Sequence, residues 1–156
     1  MSANKQPSRS RSGNLRRAAN KAATKSAKPT KWPTKVEVQI GINPSGEFYY
    51  IINGVKSATG GGDAGNIDVS KDGGKGLVVF SADPQSAVPL LAFAVTIDPL
   101  KVKGTKLDSL GFAVGKKTIT FKIPSKAQND DEYTYSVVAF AANATYSVDP
   151  KLRIYN

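Results

Sequence analysis

The distribution of charge along the chain constrains its fold more than any other feature of the sequence. The first 35 residues carry ten Lys or Arg side chains and no Asp or Glu, whereas the rest of the chain carries twelve of each sign. The whole formal net charge of +10 therefore belongs to the N-terminal segment. Before Trp32 this segment has only two sizeable apolar side chains, Met1 and Leu15. It cannot bury enough apolar surface to offset the ~1–2 kcal/mol per residue that ordering a backbone costs.

This asymmetry predicts two regions, a disordered basic arm over residues 1–31 and a folded domain over residues 32–156. Within the arm, the Ala-rich stretch 14–27 has good helix propensity, but a stripe of like charges opposes a helix in water. A polyanion would relieve that repulsion, so we predict that the helix forms on binding. The cations of the stripe recur at steps of four, four and three: Arg17, Lys21, Lys25 and Lys28.

The remaining sequence alternates apolar and polar side chains with a period of two, which is typical of half-buried β-strands. Alternating runs begin at Val36, surround Tyr133 and close the chain over residues 151–155. Clusters of Gly, Pro, Asn and Asp separate about eight or nine such runs, the spacing expected of a sandwich or barrel. We therefore predict an all-β fold, an antiparallel β-sandwich, and the pattern is compatible with both jelly-roll and Ig-like topologies.

The absence of Cys and His excludes several chemistries. Catalysis by Ser-His-Asp or Cys-His arrangements is impossible, and so are cysteine-based zinc sites. Two Ser-Lys neighbours remain, at residues 70–71 and 125–126, but neighbours on a strand point to opposite faces. We expect a protein that is not an enzyme and that uses no cofactor and no metal.

Three further features allow a functional interpretation beside a structural one. The Gly-rich segment 56–66 is predicted as a surface loop, and whether it binds a ligand or a cation stays open; Asp63, Asp68 and Asp72 are the candidate cation ligands there. The acidic cluster 128–132 either keeps a turn hydrated, binds a cation or docks the arm of a neighbouring subunit. The tyrosines either pack in strands or form a stacking surface for single strands: Tyr49, Tyr50, Tyr133, Tyr135, Tyr146 and Tyr155.

Ten cations on a flexible tether are suited to neutralising phosphate charge. Such an arm reads no base edges, so we expect sequence-independent binding of nucleic acid that weakens steeply with salt. We expect no membrane association, because the arm lacks an apolar face and no run approaches the ~18–20 apolar residues of a membrane span. No apolar stretch of a signal peptide follows the charges. The candidate nucleic-acid-binding residues are Lys5, Arg9, Arg11, Arg16, Arg17, Lys21, Lys25, Lys28, Lys31 and Lys35.

The Ser/Arg run 8–11 and the Ala/Arg-rich stretch 14–19, joined to a β-sandwich, resemble the coat proteins of small icosahedral RNA viruses. The resemblance implies an arm that lies on the genome inside a shell, and a sandwich that makes the shell contacts. It favours RNA over DNA as the partner, a homo-oligomer that self-assembles as a capsid, and a place in the virion.

The C-terminal stretches 132–137 and 149–156 are similar to the closing hairpin of small bacterial Ig-like sandwich proteins. This second resemblance implies a different class of protein, a binding module for a protein or small ligand with an accessory basic tail. Such a module would be intracellular.

Overall fold

The structure is a computed structural model, and it describes residues 31–57, 64–72, 75–104 and 109–155. The predicted all-β class is confirmed for this part of the chain, which consists of strands joined by turns and loops. The described strands are β1 Lys35–Ile42, β2 Phe48–Ile52, β3 Val55–Lys56, β4 Ile67–Ser70, β5 Leu77–Ala82, β6 Ala92–Lys101, β7 Ser109–Val114, β8 Ile119–Lys122, β9 Glu132–Phe140, β10 Thr145–Val148 and β11 Lys151–Tyr155.

The strands form two sheets. The first has the order β3-β2-β1-β5-β8, and the second has the order β4-β11-β9-β6-β7, with β10 also paired to β9. Both sheets are mixed, because β1 pairs with β5 and β4 pairs with β11 in parallel. The prediction of purely antiparallel sheets is wrong for these two pairs. The segment between β1 and β5 is long enough for the crossover that a parallel pair needs, and side-chain alternation carries no information on strand direction.

The inner faces of the two sheets share one hydrophobic core, which makes the fold sandwich-like. Alternate residues of each long strand point into it, as the period-two pattern predicts. Phe80 of β5 lies at its centre, with ring centroids 5.9 Å from Phe121 of the first sheet and 5.3 Å from Tyr135 of the second. The two longest inner rows, on β1 and β9, are fully or almost fully buried and consist of Val36, Val38, Ile40, Ile42, Tyr133, Tyr135, Val137 and Ala139.

The last two strands lie end to end along one edge of β9. Strand β10 pairs with residues 137–140 and β11 with residues 132–134. Between them, the Pro150 carbonyl accepts a hydrogen bond from the Tyr135 N–H at 2.9 Å. Proline has no N–H to give to the ladder, so it interrupts the pairing and divides the edge into two strands. The C-terminal stretches that the sequence singled out thus meet as an antiparallel pair, β9 with β11.

The chain enters the domain at a point where the two sheets meet. The Pro33 carbonyl accepts a hydrogen bond from the Ser70 N–H at the end of β4, and the Thr34 carbonyl accepts one from the Leu77 N–H at the start of β5. Both donor–acceptor distances are 2.8 Å. Because β4 and β5 belong to different sheets, these two bonds fix the root of the arm to both layers. The preceding Trp32 is partly buried.

Candidate functional site

Most of the predicted nucleic-acid-binding cations fall outside the described residues. Lys31 and Lys35 are described, and both are exposed. The Lys35 Nζ lies 2.5 Å from Oε1 of Glu37, an ion pair in which both side chains are more than half exposed. Exposed pairs of this kind contribute only ~0–1 kcal/mol to stability, so phosphate can displace the carboxylate. The cations outside the described residues are Lys5, Arg9, Arg11, Arg16, Arg17, Lys21, Lys25 and Lys28.

Strand pairing adds cations of the domain to the point where the arm begins. The register places Lys35 of β1, Leu77 of β5 and Lys122 of β8 side by side across the first sheet. Both lysines are exposed, so they lie on the outer face of that sheet, and exposed Lys75 lies in the turn just before β5. We name Lys31, Lys35, Lys75 and Lys122 the arm-root surface. In the sequence, Lys75 and Lys122 belong to a domain of balanced charge, and only the β1–β5–β8 pairing brings them to the arm.

The outer face of the second sheet has the opposite character. On the edge strand β7, Leu110, Phe112 and Val114 are 72%, 61% and 55% exposed. Their register partners on β6 are Thr96, Ala94 and Ala92 in the same order. Large apolar side chains at such exposure, grouped on one face, are typical of an interaction surface and not of scattered surface residues.

The same face continues onto β9. Ser136, Val138 and Phe140 pair with the outward residues of β6. The Phe140 ring lies 6.2 Å from the Phe112 ring between centroids, in an edge-on arrangement across β6. We name the outward residues 92–96 of β6, 110–114 of β7 and 136–140 of β9 the apolar face. Its outermost strand, β7, was not among the predicted strands, because residues 110–114 are apolar on both sides and show no period of two.

The acidic cluster 128–132 is largely part of the structure of the domain. Asp131 is fully buried, and its carboxylate accepts hydrogen bonds from the backbone N–H groups of Lys103, Gly104 and Gln128. The next residue, Glu132, accepts a hydrogen bond from Arg153 Nε at 2.9 Å. The interpretation of this segment as a free acidic surface, for a cation or a neighbouring arm, is therefore wrong for these two carboxylates.

The Gly-rich segment 56–66 is described only at its ends, and Asp63 lies outside the described residues. Asp68 is half-buried within β4, whereas Asp72 is exposed in the following turn. Within the described ranges, no group of three or more acidic or other metal-binding side chains could hold a metal ion. The same ranges contain no helix that could cross a membrane.

Four of the six tyrosines are core residues. Tyr49, Tyr50, Tyr133 and Tyr135 are buried, so they present no free ring face to a base, and the stacking interpretation is wrong for them. Burial, followed by the hydrogen bond and charge of Asp83, raises the pKa of Tyr49 to about 12. Burial and the nearby Asp131 charge likewise raise the pKa of Tyr133 to about 12. The pKa values of Tyr50 and Tyr135 are raised for the same main reason, desolvation.

These shifts predict alkaline unfolding. A phenol whose pKa is higher in the folded than in the unfolded state stabilises the fold below its unfolded pKa of about 10, and this stability is lost as pH rises through the folded pKa. We therefore expect the domain to unfold between about pH 10 and pH 12 as the buried phenols ionise. Tyrosinate absorbance and near-ultraviolet circular dichroism should change together. Complete tyrosine ionisation near pH 10 with an unchanged native spectrum would contradict the prediction.

An open cavity of about 570 Å³ lies beside the end of β5. Its lining includes Asp83, Leu90 and Lys116. The Asp83 carboxylate is already engaged, because it accepts hydrogen bonds from the Tyr49 hydroxyl at 2.5 Å and from the Gln85 N–H at 2.9 Å. The Lys116 ammonium is therefore the group of this lining that can meet a ligand charge, beside walls that are mainly apolar.

The chain is thus a sandwich-like all-β protein with a cationic arm root on one outer face and an apolar surface on the other. No known protein family matches the sequence, and no curated protein is similar to it.

Proposed function

We propose that this protein is a non-enzymatic structural protein that binds nucleic acid through its cationic arm and self-associates through its β domain. In its most concrete form it is a coat-type protein that packages a viral genome. One observation carries the proposal: the arm begins beside exposed lysines on the outer face of one sheet, whereas the outer face of the other sheet has an apolar region on β6, β7 and β9. Such a molecule can turn one side to a polyanion and another to its neighbours.

The arm supplies affinity by neutralising phosphates and releasing their counterions. For single strands the logarithm of the binding constant falls by roughly 0.7 per phosphate contacted for each tenfold rise in salt. Flexible Lys and Arg side chains contact phosphates and not base edges, so binding is independent of sequence. The domain, with twelve residues of each sign after residue 35, does not repel its own copies. In the coat-type form of the proposal, the nucleic acid that the arm binds is RNA.

The order of the second sheet supports an Ig-like topology over a jelly roll. The sequence β10/β11-β9-β6-β7 corresponds to the G-F-C-C′ order of variable-type Ig sheets, with β6–β7 and β9–β10 as hairpins. The antiparallel β5–β8 pair corresponds to the B–E pair of the facing sheet. The parallel β1–β5 pair departs from that scheme, so the proposed relation covers the second sheet and part of the first.

The experiment is purification of the full chain at low salt. We expect nucleic acid to accompany the protein, seen in the ultraviolet absorbance spectrum, and light scattering to report particles far larger than a monomer. Nuclease treatment followed by high salt should release free protein, because the arm is held by phosphate charge. A monodisperse monomer free of nucleic acid at low salt would overturn the coat-type proposal.

The cavity beside Lys116 favours a second candidate, an Ig-like module that binds a small ligand. A cavity of about 570 Å³ is within the range of ligand pockets, and a cation beside apolar walls suits a small anion with an apolar body. A monomer whose thermal transition rises with such a ligand, and falls back in the Lys116→Gln variant, would favour this candidate over the coat-type one.

A further inference from the structure

The apolar face has a regular relief. On β7, Leu110, Phe112 and Val114 form a ridge of large exposed side chains. Beside it, Ala92 and Ala94 of β6 form a trough, because register pairs them with Val114 and Phe112 and their side chains are small. A ridge next to a parallel trough is self-complementary. A two-fold axis along the strands, between β6 and β7, sets the ridge of each copy over the trough of the other.

The absence of charge on the apolar face limits the kind of partner that can cover it. None of the outward side chains in the paired rows from Ala92 to Thr96, and from Leu110 to Val114, is charged. The third strand adds Ser136, Val138 and Phe140, again without charge. These side chains offer no cation to the phosphates of a nucleic acid and no carboxylate to the basic arm. An equally uncharged surface can cover this face without desolvating any charge, and a second copy of the same face is such a surface.

We infer that the apolar face packs against the same face of a second copy in a two-fold, face-to-face contact centred on Phe112. Facing sheets lie about 10 Å apart with interdigitated side chains, so the Phe112 ring of one copy enters the trough at Ala94 of the other. The choice of a second copy rests on the proposed function, in which the domain assembles with itself.

The size of the face indicates how this contact is used. With the axis between β6 and β7, these two strands of one copy cover the same two strands of the other, and three residue rows across two strands span a projected area of roughly 200 Å² at ordinary strand spacings. A stable complex needs about 800 Å² per partner, so the contact alone is weak. Tethering two copies by their arms to one polyanion raises their effective concentration to about the millimolar range. Pairing through the apolar face is therefore expected mainly on nucleic acid, which makes assembly dependent on it.

The test compares Leu110→Ser/Phe112→Ser with the control Val55→Ser, whose side chain is 72% exposed like that of Leu110 but lies on β3 of the other sheet. An RNA oligomer long enough for one chain measures the arm alone, and a long RNA measures assembly. We expect the double variant to keep its short-oligomer affinity within twofold and its thermal transition, and to lose cooperative binding to long RNA by at least tenfold. The control should behave like the unaltered chain in both assays.

A second measurement leaves the ridge intact. The chain has no cysteine, so the single variant Ala94→Cys offers one attachment point to a short bis-maleimide cross-linker. We expect covalent dimers on long RNA, and none from the Val55→Cys control. Three results would each overturn the inference. The first is unaltered cooperativity in Leu110→Ser/Phe112→Ser, and the second is the absence of Ala94→Cys dimers. The third is binding of the ridge to neutral phosphatidylcholine vesicles in place of pairing between copies. If the unaltered chain ignores the short RNA, the proposed function fails instead, and dimerisation of the Ala94→Cys variant at high protein concentration still decides the pairing.

Discussion

Removal of residues 2–31 is expected to abolish binding to RNA at physiological salt while the thermal transition of the domain stays nearly unchanged. The deleted segment holds nine cations and no carboxylate. If each cation meets one phosphate, the affinity of the full chain should fall by roughly four orders of magnitude between 50 and 200 mM salt, since the expected slope is about 0.7 per contact. The truncated chain keeps the arm-root lysines Lys35, Lys75 and Lys122, so we expect it to retain weak binding that is confined to low salt.

Two matched chains separate charge from sequence in that experiment. An arm of the same composition in shuffled order should bind as well as the natural arm, because phosphate contacts carry no sequence information. An arm of the same length with Lys and Arg replaced by Gln should behave like the truncated chain. Fluorescence anisotropy over a range of salt concentrations gives the slopes. Full affinity in the truncated chain, or loss of the folded domain on truncation, would contradict the division at residue 31.

The faces of the strands could be predicted from the sequence, but several of their partners could not. Alternation placed Val36, Val38 and Ile40 inward, because one side of each strand must meet the core. The same alternation is blind to the strand that pairs with it, so the parallel β1–β5 pair and the approach of Lys122 to the arm were not predictable. Strand β7 was missed for another reason. At Gly111, a Cβ atom would lie 2.2 Å from Ile119 Cγ2, so the neighbouring side chain fills the place of the missing one and the pattern is broken.

The acidic cluster shows the same limit for charge. A run of Asp and Glu next to a turn is typical of hydrated surface, and exposed Asp130 fits that expectation. Asp131 does not, because the backbone around it turns three N–H groups toward one point. The packing of the end of β6 against the start of β9 decides which carboxylate of the run accepts these hydrogen bonds. That packing is a tertiary contact between residues 103–104 and 128–131, and no local pattern encodes it.

Replacement of this buried carboxylate is expected to destabilise the domain strongly. In Asp131→Asn the side chain keeps one oxygen and turns an NH₂ group toward a backbone donor, so at least one buried N–H loses its acceptor. Hydrogen bonds to charged groups contribute about 1.5–3 kcal/mol each, and an unsatisfied buried donor adds about 1–3 kcal/mol. We expect the free energy of unfolding to fall by about 3 kcal/mol, which corresponds to a fall of roughly 10 °C in Tm.

The neighbouring Asp130→Asn is the matched control for this loss. Asp130 is exposed and has a positive φ of 64°, a conformation that Asn adopts as readily as Asp. Its replacement should change the free energy of unfolding by less than about 0.5 kcal/mol, as for ordinary surface positions. Urea denaturation followed by circular dichroism measures both variants. The Asp131 carboxylate joins the loop after β6 to the turn before β9. The backbone carbonyl of Asp131 also accepts a hydrogen bond from the Ile154 N–H of β11 at 3.0 Å. Loss of these Asp131 hydrogen bonds should therefore also weaken assembly on RNA through the second sheet. Equal stability of the two variants would show that the Asp131 hydrogen bonds do not hold the sheet together.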